Sequence, residues 1–340
     1  MTQAKKEHYL AMFDGKLSAE RGISRYQPRD DASHIFHNEP AYYEWWYLDA
    51  SFDNGYHFVT TFHYRNAFTK PTLSTIQFFI YLPDGTKKER HILIDPKDAR
   101  AHPDYCDVQM GDSYFKDNGD HYEINIKIGK MGARLKLKNT VPPWKPGNGL
   151  LYQNKTTGTV WGWAVPVPAG DIEGELILKD ETIPVKGNGY HDHNWGNCYM
   201  HTLYENWYWG RIHDDNFCID YGRIQPREAG MPLVNPLLIT SRDKVILSTN
   251  MLQVDLFEEK EDETFGRKYA NRLKLSVDTQ GVQLKIDINT RRIAEPLKLP
   301  PVTEWEQHYY RFVADYTMQI SVDGKTHESS GELLHEYMLL

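Results

Sequence analysis

The 340-residue sequence predicts an all-β fold: two antiparallel β-barrel or sandwich units related by an internal duplication. Three observations carry this expectation. Short segments rich in aromatic and β-branched residues recur along the chain, turn signals separate them, and the segment opening the first half returns in the second.

The strands come in order. "YHFVTTFHY" (56–64), "STIQFFIYL" (74–82), "HYEINIKIG" (121–129), "GELILKD" (174–180) and "YTMQISVDG" (316–324) are short, and several alternate polar with apolar residues. "FDNGY", "LPDGT", "KDNGD", "VDTQG" and "VDGK" punctuate them, and the Asn-Gly pairs favour tight hairpins. Helical periodicity is scarce; "KKEHYLAMF" near the N-terminus is the best short candidate.

The repeat aligns "YYEWWYLDASFDNGYHFVT" with "LYENWYWGRIHDDNFCIDY" without a gap, at an offset of 161 residues. Glu44 falls on Glu205, Trp46 on Trp207, Tyr47 on Tyr208 and Val59 on Asp220. "GYHDH" (189–193) and "GELLH" (331–335) close the two halves with the same spacing. A period this long implies duplicated domains rather than a solenoid, which places one unit at 1–197 and the other at 198–340. Residues 139–170, rich in Pro and Gly but holding Trp144, Trp161 and Trp163, read as an ordered flap.

Composition narrows the function. The net charge of −8 and the scattered Lys and Arg argue against nucleic acid or an anionic membrane as partner. No run reaches membrane-spanning length and the N-terminus lacks a signal-peptide core, so a soluble, cytoplasmic protein is expected. Cys106, Cys198 and Cys218 share no metal-binding spacing, which argues against a disulfide framework and a cysteine-based zinc site.

"GNGYHDHNWGN" (187–197) is the densest polar stretch. On a strand, His191 and His193 share one face and Asp192 points to the other. Zinc would need a third ligand, from His201, His213 or Asp220, and the chain has no His-Glu-x-x-His helix. No metal and no cofactor are therefore expected, and the histidines read as bonded to backbone or carboxylate groups. Asp220 stands out because its counterpart in the repeat, Val59, is apolar. A carboxyl at an apolar position either pairs or keeps its proton, and a neutral acid among aromatic rings can protonate an alkene. Trp46, Tyr190, Trp195, Trp207, Tyr208, Trp209 and Tyr221 supply such rings, whose faces stabilise cations.

"EWWYLDA", "WAVPVP", "GYHDHNWG", "NWYWGRI" and "LLHEYM", taken in this order, resemble the hydroxyneurosporene synthase family. That family includes carotenoid 1,2-hydratases, kievitone hydratase and, more distantly, fungal Diels–Alderases. The resemblance runs from about residue 39 to 338 and implies two lipocalin-like (calycin-type) β units. It implies catalytic roles for the His-x-Trp pair, here His193 and Trp195, and for an aspartate on the strand after Trp-Tyr, here Asp220. The family pattern has a tyrosine two residues before that aspartate, where this chain has Cys218.

Residues and resemblance together point to a cofactor-free hydratase or cyclase of an apolar, isoprenoid-like alkene. Asp220 would protonate the alkene and His193 would orient water or relay the proton. Trp195, Trp207 and Tyr190 would line the cationic centre, and Asp192 would hold His191 or the loop. Trp46, His191, Tyr208, Trp209 and Tyr221 complete the expected substrate-binding set. The alternatives are a pericyclase, which positions a polyene without protonating it, and a lipocalin-like carrier that leaves its lipophile unchanged.

Overall fold

The structure is a computed structural model and describes residues 25–34, 39–68, 73–179, 181–231, 233–299 and 306–340. The helical candidate "KKEHYLAMF" lies outside the described residues. The chain folds as two compact units, one spanning Ser24–Cys198 and one holding Tyr199–Leu340. They are called the N-terminal and C-terminal units below.

The N-terminal unit carries β1 (Tyr42–Phe52), β2 (His57–Arg65), β3 (Ser74–Tyr81), β4 (Lys87–Ile94), β5 (Ala99–Ala101) and β6 (Asp107–Met110). It continues with β7 (Ser113–Asp117), β8 (Tyr122–Ile128), β9 (Met131–Asn139), β10 (Leu150–Asn154), β11 (Thr159–Leu178) and β12 (Glu181–Asn197). The C-terminal unit carries β13 (Tyr204–His213), β14 (Cys218–Pro226), β15 (Leu237–Thr240), β16 (Val245–Thr249) and β17 (Gln253–Glu261). Its last strands are β18 (Lys268–Thr279), β19 (Val282–Leu299), β20 (Gln307–Val322) and β21 (Lys325–Leu339). The helical pieces among the described residues are two 3-10 turns, Pro28–Asp31 and Pro96–Asp98, and one α turn, Met200–Leu203.

Each unit is one antiparallel, lipocalin-like sheet. In the first, β1 pairs with both β2 and β12, and the sheet edges are the consecutive strands β4 and β5. In the second, β13 pairs with both β14 and β21, and the edges are β16 and β17. Both sheets therefore join their first and last strands and break after the fourth. The ladders repeat as well: Ile124, Leu135, Gly174 and Val185 lie abreast on β8, β9, β11 and β12. Leu275, Ile286, Met318 and Ser329 lie abreast on β18 to β21 in the same way.

Strand alternation fills the two interiors. Phe58, Phe62, Phe78 and Phe115 anchor the N-terminal cluster; Ile219, Tyr221, Tyr310 and Phe312 anchor the C-terminal one. Fully burying a side chain of this size stabilises the fold by about 1.5–3 kcal/mol relative to exposure.

Two expectations change. The gapless repeat hides a one-residue difference in the first hairpin. In the first hairpin three residues, Asp53, Asn54 and Gly55, lie inside the Phe52–Tyr56 pair, where Phe52 N–H donates to the Tyr56 carbonyl at 2.9 Å. In the second, two residues, Asp215 and Asn216, lie inside the Asp214–Phe217 pair, where Asp214 N–H donates to the Phe217 carbonyl. With Val59 kept on Asp220, Trp46 corresponds to Tyr208, both in an apolar cluster, rather than to Trp207. Glu44 likewise shifts from Glu205 to Asn206, and the β1–β12 and β13–β21 registers set His335 against His191 rather than His193. The expected flap is largely strand: β10 and β11 occupy much of residues 139–170. Trp144 bridges Val165 through its backbone and sets its ring edge-on to Trp163 at 5.3 Å. Pro166 and Pro168 have no N–H to give the ladder, and the β11–β12 register shifts around each of them.

Candidate functional site

Strand parity does put His191 and His193 on one face of β12, the face turned to the interior of the N-terminal unit, and neither is exposed. Each ring is anchored in the same manner. His191 Nδ1 lies 2.8 Å from the Tyr47 carbonyl and His193 Nδ1 lies 3.0 Å from the Asp30 carbonyl. A carbonyl only accepts, so each Nδ1 carries a proton and donates. Each Nε2 then faces a buried carboxylate: His191 to Asp31 Oδ2 at 3.2 Å, His193 to Glu44 Oε1 at 3.0 Å. Two electron-rich atoms do not face each other at that distance without a proton between them. Each pair therefore binds one proton beyond the one on Nδ1. Burial works against a charged His191, but the Asp31 charge and hydrogen bond outweigh it and hold the imidazole above its ordinary pKa.

The carboxylates come from the chain that leads into and along β1. The Pro28–Asp31 turn starts with proline, whose missing N–H costs nothing at that position. Its carbonyls accept from His193 and from Trp46 Nε1 (3.0 Å), and Lys145 holds the Asp30 carboxylate at 2.8 Å. Glu44 breaks the apolar inner face of β1. Its Oε2 accepts from Tyr42 (2.5 Å) and Ser33 (3.0 Å), and its Oε1 accepts the His34 backbone N–H (2.8 Å). Burial alone would raise the Glu44 pKa, but the bonds and charges of His193 and His34 prevail and hold it at about 2. The Trp46 ring stacks on His193 at 4.4 Å and His34 stacks on Trp195 at 3.8 Å.

The opposite face of β12 carries a second network. Asp192 Oδ2 accepts from Tyr190 (3.0 Å) and from Trp163 Nε1 (3.3 Å); its Oδ1 accepts from Asn194 (3.2 Å). Asp192 thus grips the β11 tryptophan, while Tyr190 lies on the face away from His193.

In the C-terminal unit, Asp220 is fully buried on β14 and lies, like Val59, outside its unit's apolar cluster. Its Oδ1 accepts from Trp209 Nε1 at 2.9 Å, and its cross-strand neighbour is Arg211. Parity sets Trp207, Trp209, Cys218 and Asp220 on this outer face, where both tryptophans are partly exposed. Tyr208 and Tyr221 point the other way, into the cluster.

Within the N-terminal unit the expected residues form two groups, Trp46, His191, His193 and Trp195 on one side and Tyr190 with Asp192 on the other; within the C-terminal unit Asp220 groups with Trp207 and Trp209. His191 finds two polar neighbours, Asp31 and Cys106, within its own unit. Asp31, His34, Tyr42, Cys106 and Tyr122 join the site without any signal in the sequence pattern. Glu44 did carry one: a single carboxylate among Tyr42, Trp46 and Leu48 on one strand face is the same kind of exception as Asp220.

No protein-family model matches the chain. A stretch of 55 residues is 36% identical to hydroxyneurosporene dehydrogenase of Chlorobaculum tepidum, covering 14% of this chain and 14% of that protein. Among solved structures, an AttH-type protein of Nitrosomonas europaea is similar over 93% of this chain and 97% of its own, with a TM-score of 0.65 and 16% identity. CghA in complex with Sch210972 is similar over 95% and 98%, with a TM-score of 0.64 and 12% identity. Kievitone hydratase of Nectria haematococca is similar over 95% and 98%, with a TM-score of 0.58 and 13% identity. At these identities the shared property is the fold.

Proposed function

We propose that this chain is an enzyme that protonates an alkene of an apolar, isoprenoid-like substrate, as a hydratase or cyclase. The observation that carries the reading is the Asp220 carboxyl, fully buried and fixed through Oδ1 by the Trp209 indole N–H. Such an acid donates from its other oxygen, Oδ2. The alkene π pair takes that proton to form a C–H bond, leaving a tertiary cation over the faces of Trp207 and Trp209. Water then adds its lone pair and returns a proton to the carboxylate, giving an alcohol. In a cyclase an internal alkene attacks instead, and a C–H proton is lost. The names of two similar proteins, a hydroxyneurosporene dehydrogenase and kievitone hydratase, agree with unsaturated natural-product substrates.

His193 has both ring nitrogens engaged, so we assign it to hold Glu44 and the Pro28–Asp31 turn rather than to orient water. Trp195 and Trp46 pack that arrangement. Tyr208 and Tyr221 serve the core.

The test is Asp220→Asn, assayed by mass spectrometry on farnesol, geranylgeraniol and lycopene and on any apolar molecule found to co-purify. Loss of roughly 10²–10⁴-fold in turnover is expected for removal of a general acid. Unchanged turnover eliminates the acid role, and a product isomeric with the substrate that survives the substitution indicates a pericyclase. Ligand recovered unchanged after long incubation with the native protein indicates a carrier.

A further inference from the structure

We propose that Asp31, Cys106 and His191 form a structural site for a zinc-class divalent ion inside the N-terminal unit. The three residues come from separate places: the Pro28–Asp31 turn, the residue before β6, and β12. All three are buried, and one donor atom from each lies within 4.8 Å of the other two. Carboxylate, thiolate and imidazole are the donor types zinc takes. Bond lengths of about 2.0–2.3 Å at tetrahedral angles bring donors to roughly 3.5 Å apart, so modest closure supplies three of the four tetrahedral positions and leaves the fourth to a water or the second Asp31 oxygen.

Two features aim these atoms at a ligand. His191 donates its Nδ1 proton to the Tyr47 carbonyl at 2.8 Å, which turns Nε2 toward Asp31, the outer support typical of metal-bound histidine. Asp31 is 1% exposed, yet its Oδ1 accepts no hydrogen bond, while Oδ2 is held by Tyr122 at 2.8 Å. His193 Nδ1 lies 3.7 Å from Oδ1 and is already given to the Asp30 carbonyl. The Cys106 thiol contacts the Phe115 carbonyl at 3.8 Å and is hydrogen-bonded to Asp31, the partner it would share an ion with.

The adjacent set His34, Glu44 and His193 also meets the distance condition. It is the poorer choice, because both Glu44 oxygens are already occupied by Tyr42, Ser33, the His34 backbone and His193. Charge points the same way. A dication with one carboxylate, one thiolate and one neutral imidazole is neutral overall, whereas with His34, Glu44 and His193 it leaves a buried positive charge. Metal uptake at the Cys106 set displaces protons from Cys106 and His191, and it would tie the Pro28–Asp31 turn to β12. Asp220 is not among the three donors, so the test does not depend on the enzymatic reading.

The full chain is produced in cobalt(II)-supplemented medium, and metal content and near-ultraviolet absorption are measured. One cobalt per chain with a thiolate-to-cobalt charge-transfer band is expected. The band disappears in Cys106→Ser and stays in Cys198→Ser, Cys218→Ser and Glu44→Gln, with near-ultraviolet dichroism reporting the fold of each. Native protein without cobalt or without the band overturns the proposal, and this needs no variant. A band that survives Cys106→Ser, or cobalt lost only with Glu44→Gln, overturns it equally.

Discussion

His193 Nε2 lies 3.0 Å from Glu44 Oε1, with neither side chain exposed, so the N-terminal unit holds a proton-sharing pair in its interior. Removing one member strands the other. Glu44→Gln is expected to cost about 3–5 kcal/mol of unfolding free energy, the usual loss when a buried pair is broken. Denaturant unfolding of Glu44→Gln, His193→Gln and the double variant measures it. The double variant should cost clearly less than the sum of the singles; strict additivity would mean the two are not coupled.

Acid should unfold the protein from an early pH. Burial lowers His63 to about 4 and His335 to about 3, both from 6.5, and Glu44 is held at about 2, from 4.5. Each group binds its proton less readily when folded than when unfolded. Its stabilisation is therefore complete above the unfolded value and lost as pH falls toward the folded one. Stability should start to drop near pH 6.5 from the histidines and drop further below pH 4.5 from Glu44. Replacing His335 by Gln should flatten the profile between pH 6.5 and 3; an unchanged slope there would contradict the assignment.

Gly162 is packed against the face of Trp195. A Cβ at Gly162 would lie 2.1 Å from Trp195 Cε2, closer than any side chain tolerates. Gly162→Ala should push the indole off His34 and cost about 1–3 kcal/mol, the range for overpacking a core. Near-ultraviolet dichroism and thermal unfolding read both effects, and a native-like spectrum would show that Trp195 does not occupy that face.

The two faces of β13 should separate chemistry from packing. Trp209→Phe removes the N–H on Asp220 Oδ1, a bond worth about 0.5–1.5 kcal/mol, and should slow turnover roughly 2–10-fold. Tyr208→Phe removes the acceptor for the Ala270 N–H and should lower the unfolding free energy, leaving turnover per folded molecule within about two-fold. Equal effects on turnover would contradict the division into outer and inner faces.

Much of this architecture can be read from the residues. Aromatic and β-branched enrichment in 56–64 and 74–82 locates β2 and β3, and parity alone sets His191 and His193 on one face with Asp192 on the other. What escapes has physical reasons. A hairpin loop shortened by one residue leaves no mark when both strands are rich in Trp and Tyr, so the gapless match slips by one on β13. The prolines of "WAVPVP" suggest a loop, yet long β11 absorbs them as register shifts. Asp31, Cys106 and His191 meet only through tertiary structure, so no spacing advertises them.

Proton transfer from Asp220 to carbon is the central claim, and the most direct measurement is turnover in D₂O with mass spectrometric location of the label. The substrates are farnesol, geranylgeraniol, lycopene and any lipophile found to co-purify. Product should bear one carbon-bound deuterium at the former alkene, with a gain of one water in the hydratase case, and Asp220→Asn should give no labelled product. Product formed without carbon-bound deuterium, equal labelling by Asp220→Asn, or no conversion of any of these molecules would contradict it.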